Sequence, residues 1–272
     1  MTHKVREELP GVKEWDTGTH EDFYRYYEAQ SLKPETLERF RSVREMLLRI
    51  HGASHEQALD ILDIGCGAGT QAGYWTELGH HYYGIDINAP LIELARRRAA
   101  MQALPARFDV GSATQLPQQD ASIDICLLPE LLEHVVDWPA CVAEAVRVLR
   151  SGGLLYINTS SKLCPKQQEF NLPLYSWYPQ WLKRHFERRA VTDRPELANY
   201  AKYPAVNWFS FYGLRDYLVP QGFVCLDRFD LIDPSRLGNL GKLAIGAIQT
   251  ISPLRFLAQV ATPYTLLVAR KS

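Results

Sequence analysis

The chain has 272 residues, of which 46% are hydrophobic and 22% are charged. This composition is typical of a globular protein and excludes a chain that is disordered or fibrous over most of its length. The 30 Lys and Arg residues are balanced by 31 Asp and Glu residues, so the net charge of -1 gives no broad positive field for a nucleic-acid backbone. Nucleic acid is therefore disfavoured as a partner.

The cysteine pattern and the lack of long apolar runs predict a cytoplasmic location. The five cysteines are odd in number and are never spaced as CxxC, which indicates neither a disulfide framework nor a zinc site. The N-terminal sequence lacks the apolar stretch of a signal peptide, and no run of about 18 uncharged apolar residues occurs. The charge is uneven, however, since residues 234–272 contain five basic residues and no acidic one.

The predicted elements begin with an N-terminal helical lid over residues 1–57, in which Pro34 opens a helix with one apolar face. From residue 58, short apolar runs alternate with amphipathic stretches, the pattern of a parallel sheet covered by helices. The predicted strands cover residues 59–64, 82–87, 107–110, 123–128, 154–159, 223–229 and 264–269. The predicted class is therefore α/β: a Rossmann-like, doubly wound, mostly parallel seven-stranded sheet with helices on both faces.

A glycine-rich loop follows the first predicted strand in the sequence LDIGCGAGT, residues 62–70. Its glycines permit positive φ angles and let the backbone approach a ligand closely. Asp86 ends the second strand, where a carboxylate can accept hydrogen bonds from both hydroxyls of a ribose. A tight turn without a ligand is the alternative, but the combination of Asp63, three glycines and Asp86 favours a nucleoside site. A pyrophosphate is disfavoured because the third glycine comes too early for GxGxxG.

The segments LDIGCGAGT, GIDI, IDICLLPELLEHV and VLRSGGLLYINT, together with residues 111–117, resemble the class I S-adenosylmethionine-dependent methyltransferases. The resemblance covers about residues 58–160. Within that superfamily, the GIDI and PELLEHV segments are most similar to the ubiquinone-biosynthesis O-methyltransferase-like group. The resemblance implies that S-adenosyl-L-methionine is the cofactor and that residues 58–160 form the core that binds it.

The resemblance also implies a role for individual residues. The backbone of Gly65 and Gly67 would approach the methionine part of the cofactor. Asp63 would hold its amino group, Arg44 or Arg41 would bind its carboxylate, and Pro129 would lie beside the sulfonium. Asp86 would bind the ribose hydroxyls and Ile87 would pack on the adenine. Many relatives have Gly-Asp-Ala after the third strand, whereas this chain has Gly111, Ser112 and Ala113. Adenine would therefore be recognised by a hydroxyl or a backbone acceptor at Ser112 and Ala113.

A candidate catalytic group follows the fourth predicted strand. If a helix opens at Pro129, then Glu130, Glu133 and His134 share one face of it. Such a group suits Mg²⁺ or another divalent cation, which would hold and acidify an acceptor oxygen. The E-x-x-E-H pattern is similar to a metal-binding motif of ubiquinone O-methyltransferases and of RNA 3′-terminal 2′-O-methyltransferases, which add a downstream His. His185 is the one downstream histidine here.

The alternative without metal makes His134 a general base, with Glu133 beside it, or a structural hydrogen-bond partner. An unperturbed imidazole has a pKa of about 6.5 and can accept the proton of a phenol near neutral pH. Methyl transfer itself needs little acid-base assistance, because in-line positioning supplies much of the rate.

Two insertions interrupt the pattern near residues 163–212 and 235–260. Within the first, residues 172–189 combine aromatic and basic side chains, which indicates an amphipathic cover for the sheet, an aromatic acceptor pocket or a membrane-interface patch. The second is helical in pattern and nearly uncharged. An apolar stripe usually faces a core, but the basic surroundings favour contact with an anionic bilayer.

These observations predict a single methyltransferase domain, with residues 161–272 as the acceptor-side half. The predicted reaction is O-methylation of a hydrophobic, phenolic or prenylated small molecule, in the cytoplasm or at the inner face of a membrane through peripheral contact of residues 172–189 and 235–260. The alternatives are methylation of an RNA 3′ end, which the net charge disfavours, and a non-catalytic S-adenosylmethionine-binding protein. The oligomeric state is not predicted.

Overall fold

The computed structural model describes residues 32–52, 54, 57–198 and 204–272. The predicted lid therefore lies outside the described residues except for its last helix, which is confirmed as α1, Pro34–His51. Pro34 occupies the first turn, where its missing N–H costs no hydrogen bond. Gly52 ends the helix in the left-handed conformation, with φ of 76°, and its N–H bonds to the Leu48 carbonyl.

All seven predicted strands are confirmed. They are β1 (Asp60–Ile64), β2 (His81–Asp86), β3 (Ala106–Val110), β4 (Ile123–Pro129), β5 (Leu149–Ser160), β6 (Phe223–Asp227) and β7 (Tyr264–Lys271). Their order in the sheet is β3-β2-β1-β4-β5-β7-β6. The pairs β1–β2, β1–β4 and β2–β3 are parallel. The strand order reverses between β1 and β4, which is where open α/β sheets bind ligands at the carboxyl ends of their strands.

Seven helices follow α1 in the described part of the chain. They are α2 (Ala72–Thr76), α3 (Ala89–Met101), α4 (Trp138–Val148), α5 (Gln180–Thr192), α6 (Phe211–Leu218), α7 (Asn239–Thr250) and α8 (Ser252–Val260). Three begin at a side chain that accepts a hydrogen bond from the first turn: Asn88 for α3, Asp137 for α4 and Ser210 for α6. The α/β fold predicted from the sequence is thus confirmed.

The described residues divide into two compact units. The first comprises residues 32–129, 137–155 and 270–272, and the second comprises residues 130–136 and 156–269. The ends of the predicted lid and core, residues 57 and 160, are not boundaries between these units. The single-domain organisation stays a prediction.

The first unit has its core between the strands β1 to β4 and the helices that connect them. Leu62, Ile64, Trp75, Ile92 and Ile125 are almost fully buried there. Their burial explains why the strands appear in the sequence as continuous apolar runs rather than as alternating patterns.

The second unit has a small core of its own within the first insertion. Tyr175 is fully buried, and its ring stacks on Phe170 with centroids 4.0 Å apart. Lys183 is also buried. Its ammonium group donates to the Ser176 carbonyl (2.8 Å) and lies 4.6 Å from the ring centre of Trp208, and these contacts offset the cost of burying its charge. Trp181 is 70% exposed on the same helix, α5. Residues 172–189 thus contribute buried side chains to this core and place Trp181 on its outer side, and the three roles considered for this segment stay predictions.

The second insertion forms two helices instead of one. Among the described residues, no single helix is both long and apolar enough to cross a bilayer. The helices α7 and α8 together have the length and composition for it, but their axes are bent by 105° at the break between them.

Candidate functional site

The glycine-rich loop leaves β1 with Gly65 and Gly67 in the left-handed region, at φ of 77° and 53°. The N–H groups of Gly65 and Cys66 both donate to the Ile85 carbonyl of β2, at 2.7 and 3.1 Å. These bonds fold the loop back over the end of the neighbouring strand. Two positive φ angles so close together explain why glycine is needed at these two positions.

The third glycine has a different role. Gly69 has φ of 66°, and a β-carbon added to it would lie 2.5 Å from the Phe108 side chain. Gly69 is therefore required for packing of the loop against β3, and nothing in its surroundings requires a ligand to explain it.

Asp86 lies at the end of β2, where its carboxylate holds the loop. One oxygen accepts from the Gly67 N–H at 2.9 Å and the other accepts from the Asn88 N–H at 2.8 Å. Burial raises the pKa of this carboxyl, and the two N–H donors oppose that rise. A carboxylate has about four acceptor sites, so both oxygens retain capacity for ribose hydroxyls.

Asp63 is buried at the end of β1. Its Oδ2 accepts from Gln71 Nε2 at 2.8 Å and from the Tyr82 hydroxyl, whereas its Oδ1 is buried without a hydrogen-bond partner among the described residues. Burial raises the pKa of this carboxyl to about 7. An orphaned carboxylate oxygen is costly unless a donor from outside the chain satisfies it, and a cationic amino group is the donor that best suits it.

Two neighbouring residues that the sequence did not single out hold Asp63. Gln71 comes directly after the glycine-rich segment, and Tyr82 lies near the start of β2. Their proximity to predicted site elements was visible in the sequence, but only the tertiary structure shows that both side chains turn toward the same oxygen of Asp63.

The predicted adenine side of the site contains one exposed apolar side chain. Ile87 directly follows Asp86 and is 46% exposed, which fits a residue that packs on a flat base. The Ser112 hydroxyl lies 2.8 Å from the Thr114 hydroxyl and accepts from the Thr114 N–H, so it is used within its own turn. The adenine roles of Ser112 and Ala113 and the sulfonium contact of Pro129 stay predictions.

The cofactor role of Arg44 stays a prediction, and in this structure its guanidinium has partners within the protein. Arg44 is buried, and its guanidinium donates to the Tyr74 carbonyl at 2.7 Å and pairs with Glu77. It therefore fastens α1 to α2 and its neighbouring turn. The alternative, Arg41, is half exposed and pairs with Glu38 on its own helix. The sequence placed an arginine correctly on α1 but could not show which way its side chain points.

The helix predicted to open at Pro129 is wrong. Residues 130–134 form a turn after β4, in which Glu130 has φ of 52° and donates its N–H to the Asn158 carbonyl of β5 at 2.7 Å. The left-handed conformation at Glu130 cannot start an α-helix. The one-face arrangement of Glu130, Glu133 and His134 expected from helical spacing is therefore absent.

The metal site predicted from these three residues is not formed either. Among the residues that the structure describes, no group of three or more His, Cys, Asp and Glu side chains is arranged to hold a metal ion. His185, the candidate fourth ligand, lies on α5 and meets the ring of Phe186 edge-on. The donor set does not fit a divalent cation, because Glu130, Glu133 and His134 do not come together as a group of ligands.

The turn nevertheless places Glu133 in a buried polar cluster of the second unit. Glu133 is 1% exposed, and its Oε2 accepts from the Thr159 hydroxyl at 2.7 Å. Burial, together with the nearby carboxylates of Glu169 and Glu130, raises its pKa to about 8. Glu169 itself accepts from the Ser160 hydroxyl at 2.8 Å.

The backbone of the turn is held by Val206 and Asn207. The Glu133 carbonyl accepts from both of their N–H groups, and the Asn207 amide donates to the carbonyls of Leu132 and Val135. His134 is half buried, and its Nδ1 is enclosed with no hydrogen-bond partner among the described residues. The sequence missed four residues of this cluster, since none belongs to a chemical motif and all lie 25 or more positions from Glu133: Thr159, Ser160, Glu169 and Asn207.

The fold and the first site define a Rossmann-like α/β protein that binds a nucleoside. Residues 62–157 match the family model described as a methyltransferase domain. The chain is 34% identical over 119 residues to a malonyl-[acyl-carrier protein] O-methyltransferase of Serratia marcescens, a match covering 44% of each chain. It is 30% identical over 176 residues to a ubiquinone biosynthesis O-methyltransferase of Methylocella silvestris, covering 61% of this chain and 68% of that one.

The chain belongs to the class I S-adenosylmethionine-dependent methyltransferases. The chain spans about half the length of the first curated relatives it matches, as with the 54% covered of a ubiquinone biosynthesis O-methyltransferase of Chelativorans. Solved structures agree on the fold: a protein of Pyrococcus horikoshii has a TM-score of 0.57 at 16% identity, covering 93% of this chain and all of that one. The YcgJ protein of Bacillus subtilis has a TM-score of 0.52 at 18% identity, covering 84% and 99%.

The residues of the first unit fit S-adenosylmethionine. The orphaned Oδ1 of Asp63 suits its amino group, Asp86 suits the ribose, and the exposed side chain of Ile87 suits the adenine. Gly65 and Gly67 adopt positive φ angles, and because glycine has no side chain the backbone at these two positions is open to a ligand.

Proposed function

We propose that this chain transfers the methyl group of S-adenosylmethionine to a hydroxyl oxygen of a hydrophobic, phenolic or prenylated small molecule. The observation that carries the proposal is the buried polar cluster around Glu133, in which the neighbouring His134 has a ring nitrogen without a partner among the described residues. The names of the relatives, O-methyltransferases of ubiquinone biosynthesis and of malonyl-[acyl-carrier protein], support oxygen as the acceptor atom.

The cofactor supplies a methyl group that is already activated by a sulfonium. The protein then has to bind the acceptor, orient its oxygen and remove the hydroxyl proton. His134 is the residue to which we assign the proton, because its ring is only half buried and an imidazole is a suitable general base for a hydroxyl.

Glu133 acts as a positioning residue in this proposal. With a pKa of about 8, its carboxyl is mostly protonated at neutral pH and is a poor base there. Its bonds to Thr159, Val206 and Asn207 fix the turn that carries His134. No step is assigned to a metal, since the described acidic and histidine side chains do not form a ligand set.

The test uses S-adenosylmethionine with a labelled methyl group and a panel of simple phenols, catechols and prenylated quinols. We expect label transfer to one of these classes, and a loss of about 100-fold or more in kcat for His134→Ala at unchanged cofactor affinity. His185→Ala is the matched control and should keep full activity.

Three outcomes would contradict parts of the proposal. Cofactor binding without transfer to any hydroxyl acceptor would favour the non-catalytic interpretation. Full activity of His134→Ala would remove the general base. Loss of wild-type turnover after exhaustive chelation, restored by a divalent cation, would reinstate a metal.

A further inference from the structure

The second insertion presents its apolar side chains outward. Of the twelve residues of α7, all of them described, none is buried. Leu240 is 81% and Leu243 is 71% exposed on α7, and Leu257 is 61% exposed on α8. Ile251 and Phe256 are also exposed. A soluble surface rarely concentrates so many large apolar side chains on one short segment.

Three polar side chains of the same segment bond to groups of the second unit. Arg255 on α8 donates to Asp227 at 2.7 Å and pairs with Asp230, and Gln259 donates to the same Asp227 oxygen at 2.8 Å. Gln249 on α7 donates to the Phe229 carbonyl at 2.8 Å. Asp227 is fully buried. This network anchors both helices to the second unit through their polar face, which reverses the usual orientation of an amphipathic surface helix.

The geometry suits a segment that lies in a membrane surface and does not cross it. At 1.5 Å per residue, α7 is about 18 Å long and α8 about 14 Å, each well below the roughly 30 Å of a bilayer core. The 105° bend prevents the two helices from crossing in line. An amphipathic helix in this situation buries its apolar side chains at the boundary between headgroups and acyl chains.

The charge of the segment identifies the kind of membrane. The helices α7 and α8 contain no acidic residue, and their two basic residues are Arg255, which pairs with Asp227 and Asp230, and Lys242. Lys242 is exposed on α7 between Leu240 and Leu243, where an ammonium group reaches anionic lipid headgroups as the neighbouring leucines insert. We propose that α7 and α8 form an interfacial segment that binds the surface of an anionic bilayer.

The test is co-sedimentation of the full chain with vesicles of phosphatidylcholine, alone or mixed with phosphatidylglycerol. We expect binding to the mixed vesicles at low salt, with release at high salt because headgroup attraction is screened. Leu240→Glu should weaken binding at least about tenfold, since it replaces an inserted leucine by a charge. Lys242→Gln should reduce the preference for phosphatidylglycerol.

Met101→Glu is the matched control, because Met101 is 87% exposed at the end of α3 and the substitution introduces the same charge. It should bind vesicles as the wild type does. Unchanged S-adenosylmethionine affinity in all variants shows that they are folded, and the readout needs no turnover, so it is independent of the proposed reaction.

The proposal fails if the wild type does not bind anionic vesicles, or if Leu240→Glu and Met101→Glu bind equally. Sedimentation without lipid tests the main alternative, in which the apolar surface of α7 and α8 binds a second copy of this chain. We expect a monomer at the concentrations used for vesicle binding. A dimer that Leu240→Glu dissociates would overturn the membrane assignment in favour of self-association.

Discussion

Two carboxyl groups lie at the ends of neighbouring strands, the buried Asp63 on β1 and the partly buried Asp86 on β2, and they have opposite relations to the backbone. Both oxygens of Asp86 accept backbone N–H groups, whereas one oxygen of Asp63 has no partner among the described residues. Asp63 is therefore the group whose surroundings change most when a cationic cofactor binds, and Asp86 is the one already held in its working position.

The raised pKa of Asp63 makes cofactor affinity depend on pH. Its carboxyl has a pKa of about 7, so it is mostly protonated at pH 6, and the bound amino group favours its ionised form. Binding should release a proton, and affinity should rise roughly five- to tenfold between pH 6 and 7.5. Calorimetry at both pH values, in buffers of different ionisation enthalpy, measures both effects.

Asp63→Asn is the variant that checks the assignment. It should bind the cofactor more weakly and with no proton release in this range. Wild-type affinity that is the same at pH 6 and pH 7.5 would show that Asp63 does not contact the amino group.

Asp86 should contribute to affinity through the ribose and not through the amino group. Asp86→Ala removes charge-assisted bonds to two ribose hydroxyls, and we expect cofactor affinity to fall by more than about tenfold. The control is Asp109→Ala, since Asp109 is exposed at β3 and lies 3.9 Å from its nearest basic partner. Equal affinities of the two folded variants would refute the ribose assignment.

At the scale of single elements, the glycines of the glycine-rich loop have two different roles. Gly65 and Gly67 lie where a ligand would approach, whereas Gly69 is required for packing against Phe108. Gly69→Ala combines a positive φ with a contact of 2.5 Å to Phe108. The φ penalty is about 1–2 kcal/mol, and the overlap adds about 1–3 kcal/mol of lost unfolding free energy. Urea unfolding measures the sum.

Gly52→Ala isolates the first of these two costs. Gly52 has φ of 76° at the end of α1, and apart from its chain neighbours no atom of the described residues lies within 4 Å of the position that an alanine β-carbon would take. The variant should lose only the φ penalty. If both alanine variants are destabilised equally, the contact with Phe108 is not what selects glycine at position 69.

The turn after β4 is the element in which local spacing and tertiary pairing conflict. The spacing of Glu130, Glu133 and His134 is helical, but the backbone bond from Glu130 to Asn158 fixes a left-handed residue that ends the strand in a turn. A strained residue of this kind persists only where its surroundings hold it, and such positions are frequent at functional sites.

At the scale of the whole molecule, buried carboxyl groups make stability depend on pH. Glu133 has a folded-state pKa of about 8, above its value in the unfolded chain, so the folded state holds the extra proton. Stability is therefore greatest at lower pH and is lost as the pH rises toward 8. His51 and His80, whose pKa values burial lowers, act in the opposite direction only below about pH 6.5.

We therefore expect the unfolding free energy of the cofactor-free protein to fall by about 2 kcal/mol between pH 6.5 and 8 from Glu133 alone. Asp63 adds to this loss up to about pH 7. Glu133→Gln should flatten the dependence, because glutamine keeps the shape and cannot ionise. Urea unfolding at the two pH values decides, and an equally steep fall in wild type and variant would assign the ionisation to another group.

The sequence by itself determined the α/β fold, the seven strands and the cofactor loop. Apolar runs long enough for strands, helical periodicity and glycines before a helix are local features of the sequence. They predict the elements without any knowledge of which segments pack together. Asp86 was predicted from its place at the end of the second strand, whereas the role of Asp63 toward the amino group was implied by the family resemblance.

Only the tertiary structure decided the direction of individual side chains and faces. Arg44 turns to Tyr74 and Glu77, and α8 keeps its apolar side outward because Asp227 and Asp230 hold its Arg255. The turn at Glu130 exists because β5 supplies Asn158 as its acceptor. Each of these contacts joins residues 25 or more positions apart, and spacing along one segment carries no information about a partner that distant.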